Sequence, residues 1–282
     1  MAIPIIKNWK KYFANTDEGL GSSYERVVLN NKLESICKHF NVSSVLEAPS
    51  FGFTGLSGIN SVDLAKKGKK LTLLDNDEDR INLIKEVWKE LELPLTIEYS
   101  QHFQSLPFAK NSFELSWNFS ALWFVDDISE FLKELSRVTS QKILLCVPNR
   151  NGIGYISQKI LGFKELKNQL NEKNILPKNI KQEMKKNGWI LIDSNYIDCP
   201  PWPDIGMPKE KFLKMFGMSW LIKKKEHKPI TIMDYYNGKD SDFPENMMSH
   251  FWFEKKAPKL LKAFWAHHKY FLFIPMNQVK KK

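Results

Sequence analysis

The sequence predicts an α/β fold, and three observations predict it. Residues 45–77, VLEAPSFGFTGLSGINSVDLAKKGKKLTLLDND, read as a buried strand, a glycine-punctuated turn, a helix, a second buried strand and an acid. Short apolar runs then alternate with helix-period segments as far as Asn149, the order from which βαβ units are built. Hydrophobic content of 43% and charged content of 26% over 282 residues suit a folded globular chain.

Each element has its own local signal. Residues 8–21 form a lead-in, after which Ser22-Ser23-Tyr24-Glu25 fits a capping box. The helix it would open runs to about Phe40, with Leu29, Leu33, Ile36, Cys37 and Phe40 on one face. Val45-Leu46 is the first strand, and the turn after it carries Gly52, Gly55 and Gly58. Ile59 to Lys67 is the next helix, closed by Gly68 at the left-handed position. Leu71 to Leu74 is the second strand, with Asp75 at its carboxyl end. Backbone N–H groups of such a turn suit an anion, and a carboxylate so placed suits a pair of ribose hydroxyls. Asp77 caps a helix with Ile84, Val87, Trp88 and Leu91 inward, and Leu95 to Tyr99 is a third strand. A fourth runs from Phe113 to Trp117, and Asp126 or Asp127 caps a helix with Ile128, Phe131, Leu132 and Leu135 inward. Ile143 to Val147 is the fifth. Beyond Asn149, Gly152 to Gly162 and Pro177 to Lys186 read as helices, and Trp189 to Ile192 and Tyr270 to Ile274 as a sixth and a seventh strand.

Composition narrows the function classes. No apolar run approaches the roughly 20 residues of a membrane span, and the N-terminus lacks a secretory apolar core, so a cytoplasmic location is expected. Cys37, Cys146 and Cys199 are too few and too scattered for a disulfide framework or a metal knuckle, and no metal is expected. The net charge of +10 is unevenly placed. Residues 1–158 hold 18 Lys and Arg against 19 Asp and Glu, and residues 159–282 hold 24 against 13. That basic second part suits a phosphorylated or carboxylated substrate, nucleic acid or anionic lipid, or is simply a solvated lysine-rich surface.

Three segments carry a family resemblance. Glu47 directly after the first strand, the glycine-containing loop and then Asp75 resemble motif I and the motif II acid of class I S-adenosylmethionine-dependent methyltransferases. The G-x-G-x-x-G spacing of nicotinamide dehydrogenases is missing. Leu106-Pro107-Phe108, a polar turn and Ser112-Phe113-Glu114 are similar to the family's L-P-F, turn, S-F-[DE] pattern. Glu134 to Val138, the fifth strand and Pro148-Asn149 resemble its E-L-x-R-V, strand, P-N sequence. The resemblance covers Val45 to Asn149. It departs at Pro49, Phe51 and Phe53, where the family usually has glycines, and at His102, where it usually has an aspartate.

The resemblance implies a Rossmann-like, seven-stranded methyltransferase sheet with an elaborated C-terminal insertion. It divides the chain into an N-terminal cap (1–41), a cofactor-binding core (42–197), a lid (198–266), and a last antiparallel strand with a basic tail (267–282). The implied cofactor is S-adenosylmethionine. Asp75 would hold the ribose, with Asn76 beside it. The loop from Glu47 through Ala48 and Gly52 to Gly55 would hold the methionine end, with Tyr24 or Arg26 near its carboxylate. His102 and Phe103 would meet the adenine, and Asn118 stands at the end of the fourth strand. His267 or His268, before the seventh strand, could take a proton from the nucleophile. Adjacent strand residues face opposite ways, so at most one of the two is expected to serve. The implied function is methyl transfer to a small or lipid-like acceptor, possibly anionic. A nucleic-acid methyltransferase and a non-catalytic protein of the same fold stay open. Cys199-Pro200-Pro201-Trp202 reads as a rigid turn after the sixth strand, and the lid's Lys223, Lys224 and Lys225 as part of an anion-seeking surface.

Overall fold

The structure, a computed structural model, describes residues 19–51, 58–161, 170–202 and 232–279. Gly52, Gly55 and Lys223 to Lys225 lie outside the described residues. Seven strands form one sheet in the order β3-β2-β1-β4-β5-β7-β6. They are β1 (Ser44–Glu47), β2 (Lys70–Asp75), β3 (Thr96–Tyr99), β4 (Phe113–Phe119), β5 (Thr139–Pro148), β6 (Trp189–Ile197) and β7 (His268–Pro275). β1 to β5 run parallel, and β7 runs antiparallel to both β5 and β6. The chain leaves β1 towards β2 on one side and returns to β4 on the other. This reversal of strand order makes the carboxyl ends of β1 and β4 the crevice where such sheets bind ligands.

Period-two alternation divides the apolar side chains between two faces. Val45, Leu71, Leu73, Leu115, Trp117, Leu144, Cys146 and Leu272 point to one core. It is covered by α1 (Gly19–His39), α2 (Val62–Lys66) and α3 (Glu78–Glu90), and by α7 (Ile232–Tyr236) and α8 (Phe243–Met248) from the lid region. Leu46, Leu74, Ile143, Leu145, Val147, Phe271 and Phe273 point to the other. There they meet α4 (Ile128–Val138), α5 (Ile153–Leu161) and α6 (Pro177–Lys186). Helices α9 (Phe251–Lys256) and α10 (Lys259–Trp265) lead into β7, and α11 (Met276–Val279) follows it.

Local signals place most boundaries. Asp77 caps α3 by accepting from Arg80 N at 2.9 Å, and Asp127 rather than Asp126 caps α4 by accepting from Glu130 N at 3.1 Å. Gly58 takes φ +74°, and a Cβ there would come within 2.8 Å of Ile84, so the turn into α2 requires glycine. Two expectations are corrected. Ser22 to Glu25 lie inside α1, not at its start, and Glu25 is buried, so no capping box forms there. β6 extends to Ile197, well past Ile192, because β7 pairs with its whole length across a bulge near Ile192.

Candidate active site

The register gathers four strand ends on one edge. His268, the first residue of β7, pairs with Pro148 of β5 and Ile197 of β6, while Phe119 near the end of β4 pairs with Cys146. Directly after β6, Asp198 takes φ +63°, and after β4, Ser120 takes φ +52°. Both residues sit in the left-handed region, so the backbone turns sharply as it leaves each strand.

Asp198 is the hub of a buried polar cluster. His267 Nδ1 lies 2.8 Å from Asp198 Oδ2, and His268 Nδ1 lies 3.4 Å from the same oxygen and 3.5 Å from Glu25 Oε2 of α1. The expected opposition of the two histidines is therefore corrected. β7 begins only at His268, so His267 lies outside the pleat and both rings reach one carboxylate. His268 is fully buried, and its ring packs on Phe119 at 4.4 Å. Burial lowers its pKa against the opposing pull of Asp198, so the ring is neutral at pH 7. Burial also works against the Asp198 carboxylate, yet the two imidazoles outweigh it and hold that group below the usual range. Glu25, Asp198 and His268 bring ligand atoms within 4.8 Å of one another, a spacing a divalent cation could also use.

A second set of buried groups adjoins the first. Tyr24 Oη donates to Glu254 of α9 at 3.0 Å, and the same carboxylate oxygen accepts from Cys199 N at 2.9 Å. Tyr24 is thus held by the lid, and its phenol pKa is raised by burial and by Glu254. Arg26 Nη1 donates to Asn60 Oδ1 at 2.7 Å. Asn60 in turn donates to Glu47 Oε1 at 3.2 Å, and Ser61 Oγ to Glu47 Oε2 at 2.5 Å. Ala48 N bonds Trp117 O at 3.0 Å, tying β1 to β4. Asn118 is fully buried, and among the described residues neither polar atom of its amide has a hydrogen-bond partner; Ser120 Oγ is in the same condition. Such orphaned buried polar atoms are costly unless a ligand or water meets them.

The Asp75 end differs. Its carboxylate is fully buried and accepts from Ser50 Oγ at 2.9 Å, from Asn76 N at 2.7 Å and Asp77 N at 3.0 Å, and from Arg80 Nε at 2.9 Å. Arg80 Nη2 adds a further bond, Asn76 Oδ1 holds that same nitrogen at 3.1 Å, and Phe51 stacks under the guanidinium at 4.5 Å. A ribose could reach Asp75 only by replacing Arg80. Phe103 is buried against Phe51 and Phe131, whereas the His102 side chain stands in solvent.

Sequence reasoning missed Glu25, Arg80, Asp198 and Glu254. Arg80 had a signal, being the lone cation of the run DNDEDR. Asp198 also had one, as an acid between a strand and a Cys-Pro-Pro turn. Glu254 in FWFEKK reads as one more surface charge, and only its tertiary partners set it apart.

Burial pushes the Glu47 carboxyl up to about 7 despite its bonds to Ser61 and Asn60, and pushes Glu254 up to about 7 as well. A carboxyl whose folded pKa is raised binds its proton more tightly in the native state. Its contribution is complete below the unfolded value near 4.5 and is lost as pH rises through about 7. Urea unfolding should show stability falling by about 2 kcal/mol between pH 5 and pH 8 from Glu47. Buried neutral His268 acts oppositely, losing stability as pH falls below its ordinary 6.5. Glu47→Gln mimics the protonated acid and should remove the Glu47 part of the decline. Identical pH slopes for wild type and Glu47→Gln would show that this carboxyl does not titrate differently on folding.

Residues 53–146 match a family model described as a methyltransferase domain. A methyltransferase from Bacillus halodurans, itself a candidate assignment, is 13% identical with a TM-score of 0.51, over 88% of this chain and 98% of that one. A candidate sarcosine dimethylglycine methyltransferase from Galdieria sulphuraria is 16% identical with a TM-score of 0.50, over 87% and 84%. Geranyl diphosphate C-methyltransferase from Streptomyces coelicolor, in complex with Mg2+, geranyl diphosphate and S-adenosyl-L-homocysteine, is 13% identical with a TM-score of 0.50, over 87% and 77%. No curated protein sequence matches the chain. The strand order, with its antiparallel seventh strand, is the class I methyltransferase sheet these structures share. Residues 53–146 are thus a methyltransferase domain, built on a sheet of that fold, and S-adenosylmethionine is the cofactor the domain match indicates.

Proposed function

We propose that the chain transfers a methyl group to an oxygen or nitrogen nucleophile of a small, lipid-like acceptor, with His268 receiving the nucleophile's proton. The observation that carries this reading is the placement of a fully buried, neutral imidazole at the meeting of four strand ends, beside Phe119 and between Asp198 and Glu25. When bound, S-adenosylmethionine supplies an electrophilic methyl carbon on a sulfonium leaving group. The unpaired amide of Asn118 and hydroxyl of Ser120 fit a polar ligand in the crevice between β1 and β4. Glu47, Arg26 and Asn60 fix the polar wall on the β1 side. Asp75 would hold the ribose once Arg80 gives way. A neutral ring nitrogen of His268 accepts the proton of the acceptor's O–H or N–H, and the Asp198 carboxylate offsets the resulting charge.

The segment 198–266 is assigned to the acceptor. Its described helices pack on α1 through Tyr24–Glu254 and through Asn30 Nδ2, which donates to Tyr236 Oη at 3.1 Å. They cover the His268 cluster and exclude water from it. The test supplies methyl-labelled S-adenosylmethionine to the protein with a total lipid extract and, separately, with total RNA. Label in the lipid fraction is expected. Label confined to RNA would move the acceptor to nucleic acid.

A further inference from the structure

We infer that the outer faces of α9, α10 and α5 form a docking surface for an anionic lipid bilayer. The inner side of α9 is polar and buried, where Glu254 holds Tyr24 and Cys199 N, while α10 buries no residue and leads directly into His267-His268. The outer side is apolar and open. Leu260 is 87% exposed, Ile160 70%, Trp252 54% and Phe264 51%. Leu260 and Phe264 stand one helical turn apart on α10. α10 is tied to the start of α5 by Asn149 Nδ2, which donates to Ala263 O at 2.9 Å and Ala266 O at 2.7 Å. α5 itself packs against α10, and near its far end it carries the exposed Ile160. Large apolar side chains left together in water mark an interaction surface.

The charge around them selects the occupant. Lys255, Lys256 and Lys259 are exposed on the same two helices and make no ion pair among the described residues. Lys259 adds to a positive field that also includes Lys181 and Lys269; the Lys269 ammonium pKa is lowered by burial and by those two neighbours. A two-fold contact between copies would press this lysine cluster against itself. Nucleic acid would leave Leu260 and Ile160 without a partner, since it is gripped through phosphates and stacked bases. An anionic bilayer satisfies both features: its headgroups meet the lysines and its acyl boundary takes the Leu, Phe and Trp side chains. Docking would hold the His268 cluster about one helix diameter, roughly 10 Å, from the lipid. This deepens the lipid-like acceptor reading and rests on it only for the source of the acceptor.

Flotation of the full chain with phosphatidylcholine vesicles, and with vesicles containing about one-third phosphatidylglycerol, tests the inference. Binding to the anionic vesicles alone is expected, weakening as salt rises. Leu260→Ser/Phe264→Ser should lower the partition coefficient at least about tenfold, and Lys255→Glu/Lys256→Glu/Lys259→Glu should do likewise. Both variants alter exposed side chains and should keep wild-type melting temperature and calorimetric affinity for S-adenosylmethionine. Three results would each overturn docking: no flotation of wild type at low salt, unchanged flotation of both variants, or a wild-type dimer that Leu260→Ser/Phe264→Ser dissolves. Vesicle binding together with label transfer only to RNA would leave docking standing and reject the lipid acceptor. Label transfer to lipid without vesicle binding would do the reverse.

Discussion

Asp75→Ala should destabilise the protein by about 3–5 kcal/mol, the cost of leaving one member of a buried ion pair without its partner. A carboxylate at a strand end is expected from the sequence to contribute little to folding. The structure corrects this, because Asp75 and Arg80 are 0% and 3% exposed and bond to each other through two guanidinium nitrogens. Removing the carboxylate strands a guanidinium between Phe51 and the amide of Asn76, with only the part-exposed Asp77 carboxylate, 4.0 Å from Nη1, left to answer its charge. Urea unfolding of three proteins separates the pair from its members. Asp75→Ala should shift the midpoint furthest, while Asp75→Ala/Arg80→Met should recover most of the loss by removing both charges. A double variant no more stable than Asp75→Ala would show that packing, not the stranded charge, sets the cost.

His268→Ala should lower kcat by about 10²–10⁴-fold, the range for loss of a positioned proton acceptor, and leave S-adenosylmethionine affinity unchanged. The imidazole lies at the β7 start, away from the Glu47 and Asp75 groups at the β1 and β2 ends, so it can fail without disturbing them. The pH profile carries a second signature. Because burial lowers the His268 pKa, the acid limb of kcat should fall below pH 6.5, the ordinary histidine value. It should vanish in the variant. Weakened cofactor binding with an intact kcat would place His268 in the cofactor site and remove it as the proton acceptor.

What the sequence determined by itself was the sheet and its order of elements, because those signals are local. Alternating apolar runs, the caps at Asp77 and Asp127 and the left-handed glycines at 58, 68 and 188 act within a few residues of themselves. Motif order from Glu47 to Asn149 was enough to suggest the domain, which the match over residues 53–146 bears out. The partners of the polar groups were decided only in three dimensions. Tyr24 and Glu254 are 230 residues apart and share one hydrogen bond; His267 and Asp198 are 69 apart and share another. No period or spacing records such pairs, since they arise where an antiparallel last strand returns to the edge that the first strands built. Arg80, only five residues from Asp75, was hidden differently. Its place as the lone cation of an acidic run marks it as a partner for some carboxylate, but only the packing of Phe51 beneath it shows that it folds inward onto Asp75. Burial turns these same few side chains from solvated charges into a site, and burial is a property of the assembled fold.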